Sequence, residues 1–166
     1  MKRFYAPALA IAVLFGSNLP AAAADPPLVI DWLPGEACPN FGLRAELYLD
    51  AGHLTFRSFI DKNGNVIRLL LAGQNFPITF TNLQTGASFA VKAEGAVQHI
   101  QPLSDGSTKV TLTGHAVISY TAPDSQAPAT IRYVGRLVLN LDSSGSTLTI
   151  PEFTGRQTNV CAELSS

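Results

Sequence analysis

Asp61, Asn63 and Asn65 stand at alternate positions, the spacing at which an EF-hand loop sets its first three calcium ligands. The pattern then breaks. Val66 occupies the place of the required glycine, and Ala72 that of the bidentate glutamate. The same stretch contains Asn63-Gly64, a strong hairpin signal because both residue types accept positive φ, and a turn explains it without a metal. His53, His99 and His115 lack the paired spacing of zinc ligands, and their places in the strand pattern predict exposure to solvent. No GxSxG elbow surrounds Ser58, Ser88 or Ser107, and no phosphate loop or dinucleotide fingerprint occurs. Asp61, Asp105 and Asp142 fall among turn residues, where carboxylates cap loops rather than converge in a cleft. No metal, no cofactor and no catalytic residue is implied. A hydrolytic site would have to be assembled in space from residues remote in sequence.

Two cysteines carry a different chemistry. Cys38 and Cys161 lie near the two ends of the chain, and their spacing excludes a CxxC redox pair. In an exported chain an even cysteine count reads as a disulfide. Such a bridge requires the Cα atoms to lie within about 7 Å. It would constrain the unfolded chain by about 5 kcal/mol on the loop-entropy argument.

Export is read from the first residues. Lys2 and Arg3 precede an apolar run from Ala8 to Phe15; Gly16, Asn18 and Pro20 break it, and small residues follow from Ala21 to Ala24. This is the layout of a signal peptide, expected to span residues 1–24 with the cut after Ala24. The run is too short to cross a bilayer, and no second long apolar segment follows, so no transmembrane segment is expected after cleavage. Losing Lys2 and Arg3 leaves nine cations against twelve acids. No basic block or stripe is present, so nucleic acid is excluded as a partner.

The elements that must position these groups are strands. Helical periodicity is almost absent, whereas period-two alternation recurs through residues 43–49, 53–60, 87–94, 110–120 and 131–141. Val66 to Ala72 is nearly continuous in apolar character and reads as a strand covered on both faces. Short turns at 50–52, 61–65, 82–86, 104–107 and 142–145 leave no room for crossover helices. Residues 121–128, with Pro123 and Pro128, read as a longer loop. Gly95, Gly114 and Gly135 interrupt long alternations, which marks bulges or bends. The expected fold is all-β: an antiparallel meander of about eight strands in a small barrel or strongly bent sandwich, its ends joined by a disulfide. Residues 25–40, with Pro26, Pro27 and Pro34, are expected to form an extended N-terminal segment whose Trp32 covers an edge or a barrel end. Residues 41–166 form a single domain. Phe56, Phe89, Leu112 and Tyr133 are expected to fill the interior if no cavity exists.

On the strand 53–60, His53, Arg57 and Phe59 share one side. They form either a contact surface or a ring packed on an arginine stem. Taken together, the early cysteine, Asp61-Lys62-Asn63-Gly64-Asn65-Val66, Thr81-Asn82-Leu83, Thr85-Gly86, Asp105-Gly106-Ser107, Gly155-Arg156 and Val160-Cys161-Ala162-Glu163-Leu164 resemble a group of small exported actinobacterial proteins of unknown function. The resemblance rests on turns and a disulfide, so it implies a shared fold and no activity. The expectation for function is a secreted, non-enzymatic domain that binds a small apolar ligand or an extracellular or cell-envelope partner. A secreted hydrolase and a structural cell-surface component are the alternatives.

Overall fold

The computed structural model describes residues 25–92, 94–121, 126–144 and 147–165. The expected signal peptide, residues 1–24, lies outside these, as does part of the loop after residue 121. Among the described residues the chain forms ten strands. They are β1 (Leu28–Trp32), β2 (Leu43–Leu47), β3 (His53–Ile60), β4 (Val66–Gln74), β5 (Ile78–Asn82), β6 (Ser88–Val91), β7 (Gly95–Pro102), β8 (Thr108–Tyr120), β9 (Ala129–Leu141) and β10 (Leu148–Asn159). A single helical turn, α1 (Val160–Glu163), follows, its first turn capped by the Asn159 side chain accepting from Ala162 N.

The strands form two antiparallel sheets. One runs β1-β2-β5-β6, the other β10-β9-β8-β7-β4-β3, and neither closes on itself as a barrel. The all-β expectation holds, but the simple meander does not. The chain leaves the larger sheet after β4 to add the β5–β6 hairpin to the smaller one, then returns as β7. The expected count of about eight was short by two: the N-terminal segment pairs as β1 along β2, residue for residue from Leu28↔Leu47 to Trp32↔Leu43, and the run through Gly95 divides into β6 and β7, which belong to different sheets. Pro151 sits where the β9–β10 register slips, on an edge strand that tolerates a missing donor.

The turns behave as their chemistry dictates. Asp61 accepts from Asn63 N at 2.8 Å and from Asn65 N at 2.9 Å, so the first carboxylate of the calcium-like pattern is spent on its own loop. These hydrogen bonds, led by the one from the Asn65 backbone, hold its carboxyl below the ordinary carboxylate value. Only Gly64 adopts positive φ there; Asn63 does not, contrary to the expectation for the Asn-Gly pair.

The larger sheet is creased. Gly114 pairs directly with Gly135, and Gly135 with Gly155, each at a φ between 104° and 140°. The row continues through Ala96 to Gly73, φ 145°. A Cβ on Gly135 would stand 2.2 Å from the Thr154 carbonyl oxygen, and one on Gly155 2.1 Å from that of Val134. The backbones therefore approach more closely than any side chain permits. The expected bends at Gly114 and Gly135 are present. Gly95 is not one of them: it opens β7 with free space where a Cβ would go, and Ala96 holds the place in the row.

The crease folds the sheet towards one face. Phe153 pairs with Leu137, four residues along from Tyr133, which in a flat strand is about 13 Å. Yet the Tyr133 and Phe153 rings meet edge to face with centroids 5.1 Å apart. One apolar cluster then unites both limbs: Val110, Leu137 and Leu139 from one, Tyr120, Ile131 and Tyr133 from the other. The Tyr120 and Tyr133 hydroxyls pair at 2.7 Å inside it. Burial pushes the Tyr133 phenol above its ordinary value, an effect the bond to Tyr120 partly offsets.

A second cluster fastens the smaller sheet. Cys38 and Cys161, their Cα atoms 5.5 Å apart, form the expected disulfide among Phe41, Leu43, Phe80, Val160 and Leu164. Thr130 Oγ1 donates to the Ala37 carbonyl at 3.1 Å, and Asn82 Nδ2 to that of Leu164 at 3.0 Å. Trp32 packs on this cluster. Two expectations about the core fail. Phe56 is 60% exposed, and Val66 and Ile67 are exposed rather than covered on both faces. Both positions lie in the β3–β4 hairpin, beyond the reach of the folded-over limb. Phe89 and Leu112 are half-buried, and only Tyr133 is fully inside.

The crease predicts opposite fates for two glycines. Gly135→Ala is expected to cost about 3 kcal/mol or more, through strain and backbone collision. Gly95→Ala is expected to change stability by less than about 1 kcal/mol. Urea denaturation of the two variants measures both, and equal effects would contradict the crease.

Candidate functional site

The bend leaves a cleft of about 270 Å³ between the sheets. Val110, Leu112 and Leu139 of the larger sheet form one wall; Ile78 and Val91 of the smaller one, with Phe76 from the β4–β5 link, form the other. The polar groups that reach it are few: Asn75, Lys92, Gln98 and His115. Such a lining suits an apolar body oriented by a small number of polar contacts.

His115 owes its place to the crease, since it directly follows Gly114. Its ring does not stand free. Glu94 Oε2 lies 2.5 Å from His115 Nδ1 and 2.9 Å from Arg132 Nη2. Arg132 Nη2 in turn lies 3.3 Å from His115 Nδ1. The three side chains are only a quarter to a third exposed. Asn75 clamps the backbone beneath them. Its N–H donates to the Glu94 carbonyl at 3.0 Å, and its Nδ2 to the His115 carbonyl at 3.1 Å. Arg132 Nε is buried and has no partner among the described residues, so the guanidinium keeps an unspent donor beside the trio.

The expectation that all three histidines face solvent is thus corrected. His53 is exposed, but His99 and His115 are half-buried, and His115 is held by a carboxylate brought from a different strand connection. Among the described residues no serine or cysteine hydrogen-bonds His115, and no group of three or more metal-ligating side chains occurs. Glu94, Arg132 and Asn75 carried no signal in sequence, because their meeting depends on β-pairing across the crease.

His53, Arg57 and Phe59 line one face of β3, as the alternation predicts. The Arg57 guanidinium lies over the Phe59 ring at 5.1 Å, and Arg68 of β4 covers it at 4.1 Å. The ring is packed between cations and is not itself the exposed apolar group of this hairpin.

Glu94→Ala is expected to lower stability by about 1–3 kcal/mol, because it strands a half-buried guanidinium. In a double-mutant cycle with Arg132→Leu, measured by chemical denaturation, the two losses should be strongly non-additive. No protein family, curated protein or solved structure matches the chain. Its function is therefore read from this geometry.

Proposed function

We propose that this is an exported binding domain whose inter-sheet cleft takes a small amphipathic ligand: an apolar body with an acidic head. The carrying observation is the apolar cleft with Lys92 and His115 among its few polar lining groups. The Cys38–Cys161 bridge supports export, since disulfides persist in oxidising compartments. Residues 1–24 serve as the signal peptide, cleaved after Ala24, and kinship with small exported actinobacterial proteins belongs to the same proposal. The two sheets form a strongly bent sandwich around the ligand, with the crease as its hinge line.

The test uses 1-anilinonaphthalene-8-sulfonate as a fluorescent probe and decanoate as competitor. The probe should brighten with the folded protein and be displaced by decanoate. Ala116 also lines the cleft, so Ala116→Trp, which fills it, should abolish both effects while thermal unfolding stays cooperative. Lys92→Ala should weaken decanoate by about two- to fivefold, as for a solvent-facing ion pair. Equal probe binding by wild type and Ala116→Trp would overturn the proposal.

A second reading rests on the Glu94–His115 contact, which is how a carboxylate orients a general base. On that reading the cleft binds an ester and His115 activates water. Hydrolysis of p-nitrophenyl butyrate should then fall at least tenfold in His115→Ala, and unchanged hydrolysis would remove the reading.

A further inference from the structure

We infer that the β3–β4 hairpin docks on an anionic lipid surface. The hairpin combines two features in separate places. On one side Phe56, Ile60 and Val66 project from paired strands and are 60%, 63% and 43% exposed, while Leu54 of β3 lines the cleft. Ile67, at the register slip between them, is also exposed. Neither the folded-over limb nor the smaller sheet covers this row. On the other side and at the tip stand Arg57, Arg68 and Lys62.

The charge of the hairpin runs against that of the chain. Residues 53–74 hold three cations and one acid, whereas the whole chain has a formal charge of -1. That one acid, Asp61, is engaged by the amides of Asn63 and Asn65. Arg57 and Arg68 are held on the Phe59 ring, so their charged heads are presented at low entropic cost. An apolar row entering the headgroup boundary, flanked by cations on long stems, is the pattern of interfacial membrane binding. A second copy of the same hairpin fits less well, because pairing two such edges would bring like charges together.

The test is flotation of the full chain with phosphatidylcholine vesicles, with and without phosphatidylglycerol. Binding is expected only with the anionic lipid, and should weaken as salt rises. Phe56→Ser with Ile60→Ser should abolish it. Lys62→Gln, at an exposed turn position, should weaken it about fivefold, the effect of one surface charge. Phe56→Ser should keep the cleft probe, and Ala116→Trp should keep vesicle binding, so this inference and the proposed ligand site fail separately. Equal partition to neutral vesicles, or no partition at all, would overturn the inference. So would concentration-dependent dimers in sedimentation that Phe56→Ser dissolves, which would assign the row to a second copy.

Discussion

Where Gly114, Gly135 and Gly155 pair side by side, three strands give up their side chains at one level of the sheet. The carbonyl of each neighbour moves into the space a Cβ would occupy. Because the glycines are directly opposite rather than staggered, the bend is a line and not a gradual coil. Everything on the concave side follows. The tyrosine pair, the aromatic contact of Tyr133 with Phe153, and the cleft all require two limbs of the same strands to face one another.

The bend alone would leave the outer limb open. The smaller sheet covers part of it, and the joint is made by few polar bonds inside an apolar cluster. Thr130 reaches the Ala37 carbonyl, and Asn82 reaches that of Leu164 while its own oxygen caps the turn at Gln84. Both side chains are almost fully buried, so each bond must be made or its desolvation cost stands uncompensated. The β3–β4 hairpin receives no such cover, which explains why its apolar residues stay in solvent.

Much of this was legible in the residues. Alternation located the strands, and Asp-Gly and Asn-Gly placed the turns. Gly114 and Gly135 marked the bend, and the two cysteines announced that the ends meet. What escaped was information carried by pairing between remote strands. Gly73 and Gly155 look unremarkable until register sets them in the same row. Phe56 reads as core by alternation, since period two identifies a face and not whether anything covers it. Glu94 and Arg132 lie 38 residues apart, and His115 belongs to a strand that reaches both only after folding.

The sulfur bridge has a mechanical consequence. It spans a sequence separation of 123 and joins positions close to where any preceding or following segment attaches. Tension applied through those attachments passes from Cys38 to Cys161 across the sulfurs. The strands between them, β2 to β10, lie off that line of force, whereas the β1–β2 pairing and the Asn82–Leu164 bond lie outside the bridge and would take the load first.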